Sequence, residues 1–533
     1  MAKVPVIDIR PHDLEIVREI LRRHVPNHEV LAFGSRVRWT ARQYSDLDLA
    51  IRSDEAIPTD IIYAIKNELS ESNLPMMVDV LDMASVSEKF RGIIEEEYAV
   101  VQEVKTTKPL GEVAEITMGQ SPPGDTYNTE GDGLPFYQGV ADFQGRYPKR
   151  RVYCTAPTRF AERGDILLSV RAPIGRVNLS TERCAIGRGL ARIRALDSKD
   201  QTFLEFALRG ESANWDILES QGSVFGSASK SDLMDLPIPW LERKERHATA
   251  RILGALDDKI ELNRRMNKTL EAMAQAIFKS WFVDFDPVHA KSKRRAPALP
   301  PALADLFPSQ FQNSELGKIP RGWDVTTLGE VAEITKGRTY KSAELEPSDT
   351  ALVTLKSFQR GGGYRPDGLK PYIGEYKPEQ VVKSGELIIS YTDVTQAGEV
   401  IGMPAIVLPT GEFSTLVASL DVGIVRSKVE YLSIPHLYHA FLTEHFRSHI
   451  YAYSTGTTVL HLSVKGVPEY KLVIPPKELC LHYKSLCEPL FRDASLNHGE
   501  SCALGNVRDT LIPDLLSGKI SSVHYQQRQN KEL

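Results

Sequence analysis

The chain has 533 residues, 42% of them hydrophobic and 25% charged, which is length for three or four ordinary domains rather than one. No apolar run reaches the length of a membrane span and the opening MAKVPVIDIRPHDLEIVREI has no apolar signal core, so a membrane or secreted protein is not expected and a cytoplasmic one is. The net charge of −5 and five cysteines without a C-x-x-C pair argue against a zinc ribbon or disulfide framework and fit a reducing compartment.

Residues 1–105 read as a compact α/β unit and carry the negative charge, 13 Lys/Arg against 19 Asp/Glu. Asp13–His24 is amphipathic behind Pro11 and predicts a helix. Glu29–Phe33, Leu47–Ile51 and Met76–Leu81 predict strands, with a helix at Thr59–Ser70. Gly34-Ser35-Arg36 follows the first strand, Asp46 and Asp48 bracket the start of the second, and Asp79 lies in the third. Alternate strand residues share a face, so three carboxylates are expected together there. Such a set suits Mg²⁺, one ion holding a nucleoside triphosphate and one activating the attacking oxygen. Gly34 would allow close approach of phosphates and Ser35 could donate to them, with Arg36 in the same loop.

Residues 109–240 are β-rich and broken by Gly and Pro. Arg146–Arg194 carries 12 basic and 3 acidic residues, a candidate phosphate-facing surface. Candidate DNA contacts here are Gln138, Arg146, Lys149, Arg150, Arg151, Arg171 and Arg188. Residues 241–283 read as a long helix, about 60 Å at 1.5 Å per residue, and 284–323 as a Pro- and Arg-rich linker. A second β-rich domain spans 324–476, with Lys356, Gln359, Arg360, Arg365 and Gln396 as candidate DNA contacts, and a last long helix fills 477–520.

The octet LGEVAEIT occurs at Leu110–Thr117 and again at Leu328–Thr335. Gly164-Asp-Ile-Leu-Leu-Ser169 returns as Gly385-Glu-Leu-Ile-Ile-Ser390, and Leu236-Pro-Ile-Pro239 as Leu472-Val-Ile-Pro475. A period of just over two hundred residues is that of a whole domain and predicts a duplication. Leu256, Asn263, Leu270 and Ile277 recur by seven, as do Leu490, Asn497, Leu504 and Leu511. That spacing predicts two antiparallel coiled-coil helices acting as a spacer, with Asn263 opposite Asn497 setting register. The expected architecture is therefore α/β multidomain: one α/β domain, two duplicated β-rich domains and two spacer helices.

SELGKIPRGWDVTTLGEVAEI, LDDKIELNRRMNKTLEAMAQAIFKSWFVDFDP and RDTLIPDLLSGKI resemble the constant segments of the specificity (S) subunit of type I restriction-modification systems, over roughly residues 109–520. The resemblance implies two target-recognition domains, each reading one half of a split site in double-stranded DNA. It also implies helices that dock two modification (methyltransferase) subunits, with restriction subunits joining through the complex. The S subunit itself would be non-catalytic and need no cofactor. Ser121-Pro-Pro-Gly124 lacks the aromatic of an amino-methyltransferase motif, and no G-x-x-x-x-G-K-[ST] loop occurs.

FGSRVRWTARQYSDLDLAI resembles the minimal nucleotidyltransferases of the DNA polymerase β superfamily. That resemblance implies Asp46, Asp48 and Asp79 as metal-binding, catalytic residues, Gly34 and Ser35 as the phosphate loop, and Mg²⁺ with a nucleoside triphosphate as cofactors. Trp39 departs from it, standing where that loop often has Gly. Two readings follow: a DNA-specificity subunit with an appended nucleotidyltransferase-like domain, or a nucleotidyltransferase carrying duplicated DNA-binding domains for delivery.

Overall fold

A computed structural model describes residues 7–26, 28–42, 45–53, 56–102, 107–211, 215, 226–395, 397–520 and 522. The chain forms two compact units, Met1–Asp257 with Val507–Leu533, and Asp258–Asn506.

The first unit opens with α1 (Pro11–His24), β1 (Glu29–Phe33), β2 (Leu47–Arg52), α2 (Thr59–Glu71), β3 (Val78–Asp82), α3 (Glu88–Glu96) and β4 (Ala99–Gln102). Pro11 starts α1 where its missing N–H costs nothing, and Arg22, Arg23 and His24 end it beside the negative pole of the helix dipole. The strands order β3-β2-β1-β4. β2 and β3 run parallel because α2 crosses between them, and β1 pairs antiparallel with β2 and β4. Alternation sorts the side chains. Leu47, Leu49, Ile51 and Val80 pack with Val17, Ile20, Leu21, Ile65 and Leu69 of α1 and α2. Leu31 and Ala50 pack with Met83 and Ile94 on the opposite face. Asp48 and Asp79 lie in register between these apolar positions and so fall on the second face.

The rest of the first unit is a pair of sheets. In chain order the strands are β5 (Ala114–Met118), β6 (Tyr127–Asn128), β7 (Leu134–Tyr137), β8 (Tyr153–Cys154), β9 (Phe160–Ala161), β10 (Ile166–Ser169), β11 (Val177–Leu179), β12 (Cys184–Ile186) and β13 (Leu190–Ala195). One sheet orders β11-β10-β13-β5 and the other β9-β12-β7-β8-β6. Helix α4 (Gln201–Gly210) follows β13, and the long helix α5 (Arg243–Phe278) begins in this unit. Phe203 and Phe206 of α4 are buried with Leu253 of α5 and with Ile512, Leu515 and Leu516 of the last helix.

The second unit contains β14 (Ala332–Lys336), β15 (Thr350–Val353), β16 (Lys370–Pro371), β17 (Val381–Val382), β18 (Leu387–Ser390), β19 (Pro404–Ile406), β20 (Thr415–Ala418), β21 (Val422–Ser427), α6 (Ile434–Phe441) and most of α7 (Lys477–Leu516). Its sheets order β19-β18-β21-β14 and β17-β20-β15-β16. Strand for strand these follow β11-β10-β13-β5 and β9-β12-β7-β8, with one parallel pair in each second sheet, β12 on β7 and β20 on β15. The repeated octet also folds alike. Leu110–Val113 and Leu328–Val331 each make one helical turn that leads straight into a strand.

Candidate functional site

The acidic strand ends of the N-terminal domain form the first site. Asp48 sits beside Asp79 in adjacent parallel strands. Burial, then the charges of Asp79 and Asp46, push the Asp48 carboxyl above its ordinary range. Gly34, at φ +81°, turns the chain directly over Asp48, and a Cβ there would stand 2.6 Å from Asp48 Oδ2. Glycine is required here on both counts. A cavity of about 700 Å³ beside the site is lined by Asp46, Lys66, Ser70, Met77 and Asp79 among others. Mutually repelling carboxylates against a glycine loop are the donor chemistry a divalent cation with a phosphate ligand would satisfy. As they stand, no three acidic or His/Cys groups among the described residues are close enough to hold an ion. Lys66 takes the cation's role, donating to Asp79 Oδ1 at 2.8 Å.

Two loop residues depart from expectation. Arg36 is turned inward and 6% exposed, its guanidinium donating to Ser45 O and Asp8 O at 2.7–3.0 Å. It braces the loop and does not face a phosphate. Trp39 is half exposed at φ +57°, a left-handed backbone that favours glycine.

The first β-rich domain divides its seven candidate DNA contacts. Arg146 is buried and bound to Glu205 at 2.9 Å, which takes it off the surface. Arg151 is bidentate to Asp142 through one oxygen, and Arg150 pairs with Glu182 at 2.5 Å. These ion pairs account for most of the basic cluster, because carboxylates distant in sequence return to it. Lys149 is exposed. Gln138, Arg171 and Arg188 are exposed at one end of the sheets; neither arginine has an acidic side-chain partner among the described residues, and Gln138 meets Asp142 through its backbone N–H alone. In the second domain, Arg360 pairs with Glu399 at 3.1 Å and Arg365 with Asp367 at 2.5 Å. The Gln359 amide donates to Tyr364 O at 3.0 Å and Lys356 is exposed. Gln396 lies outside the described residues.

The helix seam is polar but staggered. Asn263 is fully buried and donates to Glu500 Oε2 at 2.8 Å and to Asn497 O at 3.3 Å. The Asn497 amide donates to Asn267 Oδ1 at 2.9 Å. The two asparagines are neighbours, the Asn263 amide reaching the Asn497 backbone carbonyl, yet their side-chain amides do not pair with each other. The seven-residue count omitted Asn267, four residues on, which the seam also uses.

A charged cluster went unanticipated. Glu205 and Asp257, both almost fully buried, hold Arg146, Arg209 and Arg508. A lone Glu inside the apolar run Phe203–Leu208 was the available signal.

Residues 102–272 match the family model described as type I restriction modification DNA specificity domain, and residues 15–105 match polymerase beta, nucleotidyltransferase. The chain thus carries a type I restriction specificity domain and, before it, a nucleotidyltransferase domain of the polymerase beta type. The MjaIX specificity subunit of Methanocaldococcus jannaschii is 24% identical over 78% of this chain and 93% of its own length. A putative MjaX specificity subunit of the same organism is 40% identical over 163 residues, 30% of this chain, and the chain spans 38% of that relative. At the N-terminus, a probable protein adenylyltransferase MntA of Haemophilus influenzae is 47% identical over 107 residues, 20% of this chain and 94% of the relative. No described helix of this chain is long and apolar enough to cross a membrane.

Proposed function

We propose that this specificity subunit directs a type I restriction-modification complex to a split DNA sequence, the domains at 109–240 and 324–476 each reading one half. The observation that carries this is the strand-for-strand agreement of their two sheets, which is what a duplicated recognition domain would leave. Residues 241–283 and 477–520 are the spacer, 284–323 links the first spacer helix to the second domain, and modification subunits dock on the spacer; restriction subunits join through the complex. Gln138, Lys149, Arg171, Arg188 and Lys356 are exposed with side chains not paired to a carboxylate among the described residues, which supports them as contacts over the ion-paired arginines. The test is to exchange residues 109–240 for another such domain and sequence the methylome of the host. One half of the methylated sequence should change. A change in both halves, in neither, or a continuous target overturns the reading.

For residues 1–105 we propose a nucleotide site in which Asp46, Asp48 and Asp79 would hold Mg²⁺ while Gly34 and Ser35 face the phosphates. The ion would screen the triphosphate and lower the pKa of an attacking hydroxyl. What the chain itself supplies is the negative pocket, the glycine that lets phosphates approach, and Lys66, which neutralises Asp79 until a cation replaces it. Binding of a labelled nucleoside triphosphate to the full chain should depend on Mg²⁺ and be lost in Asp48→Asn. Trp39→Gly should tighten it, by removing a bulky indole that would crowd the nucleotide at a left-handed position glycine suits. Mg²⁺-independent binding, or none in either the parent or Trp39→Gly, sinks the proposal.

A further inference from the structure

The two β-rich domains can be superposed in thought through their backbone hydrogen bonds alone. Gly119 N donates to Leu190 O and Gly337 N to Val422 O, at 2.8 and 2.9 Å. Gln120 N donates to Ile186 O and Arg338 N to Ala418 O, at 3.0 and 2.8 Å. Val170 N donates to Gly189 O and Tyr391 N to Asp421 O, at 2.9 and 2.7 Å. Gly187 N donates to Tyr137 O and Ser419 N to Val353 O, at 2.8 and 3.0 Å. Leu190 N closes on Gly187 O and Val422 N on Ser419 O, at 3.0 and 2.8 Å. The turn residues of every pair, Ile186 to Leu190 against Ala418 to Val422, keep one offset, so the short turn from β12 to β13 equals the turn from β20 to β21. Arg188 then stands where Leu420 stands. Gln138 corresponds to Thr354, Arg171 to Thr392 and Gln120 to Arg338.

These positions gather at one end of each domain, where β5, β7 and β10 finish and β13 begins. The backbone there has no slack. A Cβ on Gly119 would strike Gly187 O, and one on Gly337 would strike Ala418 O. The turn is thus held in one shape while its tip residue is free to vary, which is the arrangement a specificity position needs. The side chains do vary. In the first domain Gln120, Gln138, Arg171 and Arg188 are all exposed, and neither arginine has an acidic partner among the described residues. In the second domain Thr354 and Thr392 are buried and engaged, donating to Gly368 O at 3.0 Å and Asp421 Oδ1 at 2.7 Å. Only the tip, Leu420, stands out at 44% exposed, with Arg338 beneath it accepting the Leu420 N–H at 2.7 Å through its carbonyl.

We infer that Arg188 and Leu420 are equivalent base-reading residues, one reading a guanine and the other a thymine methyl. The chemistry decides the assignment. A free guanidinium at a fixed tip can bond guanine O6 and N7 together, and an exposed leucine at the same tip can touch only the methyl that marks thymine in the major groove. An arginine meant for phosphate would be replaceable by lysine, whereas one that reads a base through two bonds is not. The inference rests on the proposed DNA-reading role of the domains.

The test uses the full chain in its host, with the methylome as readout. Arg188→Lys should make one G·C position degenerate, raising methylation at sites with another base there by about tenfold or more. Binding of the complex should keep its salt dependence, since the charge is kept. Arg188→Gln should move the preference at that position toward adenine, which a glutamine amide can pair in the same two-bond manner. Leu420→Ala should make a T·A position degenerate in the other half. An unchanged recognised sequence in Arg188→Lys and Arg188→Gln overturns the inference, as does a Leu420→Ala effect in the same half as Arg188. If exchange of residues 109–240 alters one half while these variants alter nothing, the inference alone fails. If that exchange alters neither half, the DNA-reading role fails with it.

Discussion

In the first unit, α4 meets α5 through ions. Glu205 takes Arg146 at 2.9 Å and Arg209 at 2.5 Å, and Asp257 takes Arg209 at 2.7 Å and Arg508 at 2.5 Å. In the second unit, α6 meets α5 and α7 through rings. Tyr438 donates to Glu271 at 2.7 Å, His439 Nδ1 lies 2.8 Å from the Tyr483 hydroxyl, and His436 packs on Phe278 and Phe282. Matching buried Leu204 and Leu208 with Leu437 and Phe441 places Glu205 at the position of Tyr438. Two similarly ordered β-rich domains are therefore joined to their helices by two chemistries. Ions fix the joint by complementary charge and fail when one member is lost. Neutral rings tolerate single losses better but carry buried titratable groups.

The largest effect that separates them is expected at Asp257. Burial would raise this carboxyl, yet Arg209, Arg508 and Arg146 hold it below its ordinary range. Asp257→Asn strips the charge from among three guanidiniums, two of which also hold Glu205. Removing one partner of a buried ionic network costs about 3–5 kcal/mol. Denaturant unfolding of the full chain, with hydrogen exchange on α4 and the start of α5, should show that loss in the first unit. A cost under about 1 kcal/mol would mean water already screens the cluster and the contrast between the joints is false.

Next in size is a pH effect in the second unit. Burial lowers His436 to about 3 and His439 to about 4. In the unfolded chain both titrate near 6.5. Below that value the unfolded state binds protons the folded state refuses, so stability falls as pH drops, by about 1.4 kcal/mol per pH unit per histidine. At pH 5 each would cost about 2 kcal/mol. The first unit's Asp257 loses its contribution only in the acid carboxylate range. Exchange protection should therefore fail in α6 and α7 before α4 as pH falls from 7 to 5. His439→Gln should flatten part of that slope, and simultaneous failure of both units would break the comparison.

The contrast also shows what the sequence could reveal. Glu29–Phe33 and the start of β2 were legible, because apolar runs bounded by turns specify strands without help. The pairing of Asp48 with Asp79 was legible too, since a helix between two strands makes them parallel and alternation sets the face. The ion pairs of Arg146, Arg150 and Arg151 were not legible, because charge density shows in a sequence while partners do not. Glu205 lies 59 residues from Arg146 and Glu182 lies 32 from Arg150. In the second domain the sequence points to Arg360 and Arg365, which local carboxylates neutralise, and gives no reason to single out the inferred reader Leu420. An exposed leucine carries no chemistry until a duplicate of its own turn shows an arginine in its place.

The smallest difference is expected at the matched helix position itself. Tyr438 is 3% exposed, and burial together with Glu271 holds its hydroxyl protonated well above the usual range. Tyr438→Phe removes a donor without stranding its acceptor, because Glu271 is exposed and water can take over. The ring stays packed against Phe491 at 5.9 Å. A net hydrogen bond is worth about 1 kcal/mol, and that is the loss expected in the second unit. The same logic applied to Glu205→Gln gives a larger cost, because Arg146 and Arg209 are held in the interior and water does not replace the lost charge there. Measured side by side, the two substitutions weigh the joints directly. Equal losses would show that the buried charge at Glu205 is no more than a hydrogen bond in disguise, and a Tyr438→Phe loss above that of Glu205→Gln would reverse the assignment of which joint depends on its polar contact.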